Sequence, residues 1–170
     1  FVANRASALS FTSPMNGVQE FPSNAYTATG FASVTVLGDV LSADVTWTGL
    51  TGNPVAAHIH CCIAPGANIG VAIGLPSFPA TTSGTFLHNF ELLDPGIYSA
   101  SFRATFGGGT TTGARDALLA ALVAGQAYVN IHTAIFPGGE IRGTLVPEPS
   151  TGLLILAGVT GLARRRRGRA

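Results

Sequence analysis

The sequence predicts an all-β fold, an antiparallel β-sandwich or barrel with one short helix and a further hydrophobic helix at the C-terminus. Three observations predict it. Glycine and proline are frequent (22 and 10 of 170 residues), whereas charged side chains make up only 10%; that balance suits many short strands joined by tight turns. Hydrophobic residues reach 46%, enough for one ordinary domain to bury a core without disulfide staples. The third observation is alternation. Leu41, Ala43, Val45 and Trp47 are interleaved with Ser42, Asp44, Thr46 and Thr48, so an extended backbone turns one set toward a core and the other toward water.

The other elements follow in order. Strands are expected at 32–37, 55–60, 84–92, 127–133 and 140–145, separated by turn chemistry such as Pro65-Gly-Ala-Asn68, Asp94-Pro-Gly96 and Pro137-Gly-Gly139. Trp47 reads as a core anchor. One helix interrupts the pattern between Gly113 and Gly125. There Leu118, Leu119, Leu122 and Val123 recur at helical spacing, and Gly125 stands where a C-terminal cap belongs. The stretch from Phe106 to Gly113 before it has the composition of a flexible surface loop.

The net charge of +1 hides an asymmetry. Five of the nine basic residues, Arg164, Arg165, Arg166, Arg167 and Arg169, lie at the extreme C-terminus, leaving Arg5, Arg103, Arg115 and Arg142 for residues 1–145. Of the eight acidic residues only Glu148 falls beyond 145, so the body carries seven, and the chain has no lysine. Such a body offers no basic face to follow a phosphate backbone, which excludes nucleic acid as an expected partner. Residues 1–8 lack the charged-then-apolar layout of a signal peptide, so a signal is expected to have been cleaved or left out.

The chain divides at 145/146 into a β domain (1–145) and a tail (146–170). The tail opens with Val146-Pro147-Glu148-Pro149-Ser150, continues as an apolar run from Gly152 to Ala163, and closes on the block Arg164, Arg165, Arg166 and Arg167. The run is about half the roughly 20 residues that span a bilayer, and the arginines after it match a tail whose end stays cytoplasmic. The alternative is an amphipathic helix packed on the domain, but the leucine-rich stretch has no clean polar face. This order of features resembles the PEP-CTERM sorting signal. The resemblance implies recognition by an exosortase in the inner membrane of a Gram-negative bacterium, processing near Pro147-Glu-Pro149, and delivery of the rest to the cell surface or extracellular matrix.

Two segments of the body carry most of its potential chemistry: Ala57-His58-Ile59-His60-Cys61-Cys62 and Tyr128-Val-Asn130-Ile-His132-Thr133, the second followed by Gly138-Gly-Glu140-Ile-Arg142-Gly143. On extended backbone His58 and His60 share one face, as do Tyr128, Asn130 and His132, with the valine and isoleucines opposite. Pairing of 127–133 with 140–145 is expected from the short link between them; pairing with 55–60 is an assumption. Together with Gly17-Val-Gln-Glu-Phe-Pro22, these motifs resemble the CHRD domain of chordin over residues 6–146. That resemblance implies an extracellular antiparallel fold like an immunoglobulin or Cu/Zn superoxide dismutase sandwich, with no general biochemical activity. It departs from the family at Cys61-Cys62, where a small residue more often follows the second histidine.

Two functions from different classes remain. The leading expectation is a non-catalytic, exported binding or structural domain at the cell surface or in the exopolysaccharide matrix, contacting protein, polysaccharide or itself. In it His58, His60 and His132 hydrogen-bond across strands, with Asn130, Glu140 and Arg142 completing a polar network. The alternative is a copper- or zinc-binding envelope protein, with redox chemistry as an extension, in which the three imidazoles hold the ion and Cys61 or Cys62 adds a soft thiolate. The adjacent cysteines could equally form a vicinal disulfide, pair between chains or remain free. His88, flanked by Phe86 and Phe90 on one face, is expected to be packed among aromatics. Catalysis is not expected: no serine lies in a Gly-x-Ser-x-Gly elbow, and Gly107-Gly-Gly109 lacks the lysine of a phosphate loop.

Overall fold

The alternation at 41–48 forms a strand with the sidedness its sequence demands. In the computed structural model, which describes residues 7–149, Leu41, Ala43, Val45 and Trp47 are buried while Asp44, Thr46 and Thr48 are exposed. Trp47 anchors the core and keeps its polar end satisfied: its indole N–H donates to Thr81 O at 2.8 Å, and its ring stacks on Phe78 at 4.4 Å.

Among the described residues there are eight strands: β1 (Leu9–Asn16), β2 (Thr29–Leu37), β3 (Val40–Thr48), β4 (Pro54–Cys61), β5 (Val71–Gly74), β6 (Gly84–Glu91), β7 (Ala127–Thr133) and β8 (Ile141–Pro147). They form a single sheet in the order β5-β4-β7-β8-β1-β2-β3-β6, every neighbouring pair antiparallel. The sheet curls into a half-barrel around a core that includes Phe11, Val34, Leu41, Ile59, Ile131 and Leu145. Burial of each large aliphatic here is worth about 1.5–3 kcal/mol.

Two strands escape sequence reasoning for physical reasons. β1 alternates correctly, with Phe11, Ser13 and Met15 buried, but contains Pro14, which argues against a central strand. The sheet accommodates it because β1 pairs with β8 at Phe11, Thr12 and Asn16 and not at the intervening positions, so the missing N–H falls in an interruption of the ladder. β5 is four residues long, too short for a period to register.

The expected helix is α2 (Thr111–Val123), capped at its start by Thr110, whose side chain accepts from Gly113 N. Gly125 closes it with φ +66°, and Gln126 N donates back to Ala121 O at 2.8 Å. A second, shorter helix, α1 (Ala100–Thr105), precedes it. The glycine-rich stretch between them is a surface loop, as expected, with Gly108 and Gly109 exposed and Gly107 pinned against the helices. A Cβ at Gly107 would lie 2.7 Å from Ala114 N and 2.8 Å from Arg103 O, so glycine serves close approach here. Leu118 and Leu122 of α2 are fully buried in the core, and α2 packs on β4, β7 and β8.

The expected C-terminal hydrophobic helix lies outside the described residues, and so do the sorting-signal residues Ser150, Arg164, Arg165, Arg166 and Arg167. Among the described residues no helix is long and apolar enough to cross a membrane.

Candidate metal centre

The two histidine segments are neighbouring strands. β4 pairs with β7 so that His58 faces Asn130, His60 faces Tyr128 and Ala56 faces His132; β7 in turn pairs with β8, setting Asn130 against Arg142. Because Ala57, Ile59, Val129 and Ile131 occupy the core, strand alternation sends His58, His60, Tyr128, Asn130, His132 and Arg142 to the opposite face. His58 and His132 are then diagonal neighbours, close enough for long side chains to meet.

They do meet. His58 Nδ1 lies 3.1 Å from His132 Nε2, and one ring nitrogen from each of His58, His60 and His132 can be chosen so that all lie within 4.8 Å of one another. Two of the tautomers follow from backbone acceptors. His60 Nδ1 is 2.8 Å from Ile69 O and His132 Nδ1 is 3.0 Å from Pro137 O; a carbonyl only accepts, so each Nδ1 carries the hydrogen and each Nε2 keeps its lone pair. His60, 7% exposed, leaves Nε2 buried with no hydrogen-bond partner. Burial pushes the pKa of His58 and of His60 down to about 4, and His132 is lowered for the same first reason.

The donors fit a transition-metal ion. Neutral imidazoles need release no proton on binding, and the hydrogen bonds from His60 and His132 to carbonyls are the outer-shell arrangement that orients metal-ligating histidines. An all-imidazole set suits copper or zinc and not the oxygen-seeking calcium and magnesium.

The cysteines do not join it. Cys61 and Cys62 are bonded to each other, and strand parity puts Cys61 in the core, fully buried beside Ala57 and Ile59. In this structure both sulfurs are joined to each other, and Cys61 lies on the far side of the sheet from the imidazoles.

The polar network splits in two. Arg142 and Asn130 meet Glu20: Asn130 Nδ2 donates to Glu20 Oε1 at 2.6 Å, and Arg142 Nε lies 3.3 Å from Glu20 Oε2. That ion pair lacks hydrogen-bond geometry, since Arg142 Nε has no hydrogen-bond partner. Burial pushes Glu20 up to about 7, against the lowering effect of Arg142. Glu140, fully buried, instead accepts from Thr51 N at 2.7 Å, Thr51 Oγ1 at 2.9 Å and Thr133 Oγ1 at 2.7 Å, tying the turn after β3 to the end of β7. Glu20 sits inside the Gly17–Pro22 motif, the signal by which it could have been found; the carbonyls of Ile69 and Pro137 carry no side-chain signature at all.

His88 is exposed, contrary to the expected packing, although its ring lies 4.6 Å from that of Phe90. β6 is an edge strand and β5 at the other edge ends early, so the half-barrel stays open between them. A cavity of about 730 Å³ occupies this seam, with Val71 and Leu75 on one side, His88 and Phe90 on the other, and His58 among its lining residues. At the chain's far end, Val146 and Pro147 belong to β8 and pair with β1, while Glu148 N donates to Ser10 O at 2.9 Å and its carboxylate accepts from Thr12 Oγ1. The domain thus holds the start of the Pro-Glu-Pro segment, two residues beyond the expected boundary.

Fold and site define an antiparallel β domain with a three-histidine cluster on its outer face, leading directly into a sorting tail. Residues 11–145 match the CHRD domain, and the chain belongs to that family. Residues 145–167, a span that takes in Arg164, Arg165, Arg166 and Arg167, match the PEP-CTERM protein-sorting motif, which makes this an exported protein sorted by an exosortase to the cell envelope. Neither the curated proteins nor the solved structures include a match to it.

Proposed function

We propose that this domain binds a copper or zinc ion through His58, His60 and His132 and works as a non-catalytic metal-binding module at the cell surface or in the extracellular matrix. One observation carries the reading. A purely structural hydrogen-bond network would satisfy its members, yet the most buried imidazole keeps Nε2 unpartnered while its Nδ1 is tied to a carbonyl; an unpaired buried acceptor is costly unless something fills it. A bound ion would supply Lewis acidity, and copper a one-electron couple, at a position backed by neutral imidazoles. The chain's own part is to orient His60 through Ile69 O and His132 through Pro137 O, with His58 held against His132.

Titration calorimetry of the chelator-treated protein with Cu(II) and Zn(II) tests this. The wild type should bind one ion, and His58→Ala and His132→Ala should each lose most of the heat; heat that both variants retain overturns the reading. For location, a chain ending at Glu148 keeps β8 intact while lacking the apolar run and arginines. Cell fractionation should find it displaced from the surface, and an unchanged location would reject the address.

A further inference from the structure

Arginine is a poor neighbour for a cation, so Arg142 beside the histidine cluster calls for a reason. It lies over the same Tyr128 ring on which His60 stacks, close enough for its charge to oppose a bound ion. Pairing with Glu20 does not account for it, because the fork of Arg142 is directed elsewhere. Nη1 donates to Ala67 O at 2.9 Å and Nη2 donates to Asn68 Oδ1, gripping the segment between β4 and β5 one residue before Ile69, the acceptor for His60. The same guanidinium lies 4.0 Å over the ring of Tyr128. His60 stacks on that ring too, at 4.7 Å with planes 6° apart. Tyr128 Oη also accepts from Ile69 N at 3.3 Å.

Resting on the metal reading, we infer that Arg142 is the positioning residue of the centre. It sets the direction of His60 Nε2 by two routes, the Ala67–Ile69 segment that anchors Nδ1 and the Tyr128 ring that fixes the imidazole plane. The arginine is required for its rigid two-pronged donor geometry and in spite of its charge. Lysine keeps the charge and cannot reproduce the fork.

This assigns opposite signs to two explanations. If Arg142 acted through charge alone, Arg142→Lys would leave affinity unchanged and Arg142→Met would tighten binding. As a positioning residue, Arg142 makes both variants weaken it, by about 10- to 100-fold, the usual cost of losing an outer-shell partner. The Cu(II) electron paramagnetic resonance spectrum of Arg142→Lys should shift as the ligand field at His60 changes. A core variant, Val34→Ala in β2, lowers thermal stability but should leave affinity and spectrum as in the wild type, which separates positioning from general loosening. A metal-free readout stands beside these: ¹⁵N correlation spectra of the imidazoles should show His60 in the single Nδ1–H tautomer in the wild type and in mixed tautomers in Arg142→Lys. Unchanged affinity, spectrum and tautomer in Arg142→Lys overturn the inference. A wild type that binds no metal overturns the metal reading instead, and the tautomer spectra still decide whether Arg142 orients His60.

Discussion

The sheet has two halves built on one rule and used differently. In β2, β3 and β6 apolar and polar residues alternate, the apolar set packs inward, and the outward face meets water: Asp44, Thr46, Thr48 and Leu87 are exposed, Leu87 at 70%. In β4, β7 and β8 the outward face is covered around the histidines, although Val146 at the end of β8 is exposed. Of the seven residues of β7 only His132 escapes full burial. The turn at Gly17–Gln19 and the segment from 62 to 70 close over that face, and they bring Glu20, Asn68 and Ile69 to it. Covering a polar face forces each group to find a partner or lose its charge, so the second half has displaced pKa values and an orphaned imidazole nitrogen where the first has solvated threonines. The proposed metal site lies where the outer face is roofed.

The contrast is broken most forcefully by one substitution in each half. Leu41→Ala in β3 should remove about 2–5 kcal/mol of stability, read by urea unfolding, while metal affinity in the surviving folded protein stays as in the wild type. His60→Ala in β4 should do the reverse, abolishing calorimetric metal binding with a smaller change in unfolding. Equal effects of both on both quantities would mean that the halves are not separable.

Acid should act on the covered half. His58 and His60 titrate at 6.5 when unfolded and at about 4 when folded, so below 6.5 the unfolded chain takes up protons first. Their contribution is complete above 6.5 and is lost as pH falls toward 4. Glu20 runs the other way: raised from 4.5 to about 7, it favours the folded chain as pH falls from 7 to 4.5. Three imidazoles, His132 being lowered as well, oppose one carboxyl, so the metal-free protein should lose stability between pH 7 and pH 5. The triple variant His58→Ala/His60→Ala/His132→Ala should gain stability over that interval, because Glu20 then acts unopposed. Urea unfolding in chelator at the two pH values checks the sign. The smallest effect belongs to the open half, where Thr46→Ala on its solvated face should stay within about 0.5 kcal/mol at either pH.

Much of this is legible in the residues. The period of two locates β3 and the sides of β4 and β7, helical spacing with Gly125 locates α2, and the Pro-Glu-Pro, apolar and arginine order marks the tail. Pro14 conceals β1 because an interruption in the ladder with β8 cannot be read from the strand that exploits it. His88 misleads for a related reason: its neighbours on the same face are buried phenylalanines, but the failure of β5 and β6 to meet leaves its own position open. Glu140 shares its motif with Arg142 and yet serves Thr51 and Thr133, a choice made by a turn far away in sequence.

Sequence by itself determined the β class, the membership of each face and the export address, because alternation, turn chemistry and the tail's layout are local properties of the chain. Tertiary structure decided the rest. Only the β4–β7 register sets His58 diagonal to His132, only the covering segment leaves His60 Nε2 without a partner, and only the open seam between β5 and β6 exposes His88. Each depends on groups distant in sequence sharing a surface, or failing to, and no local pattern encodes which surfaces will meet.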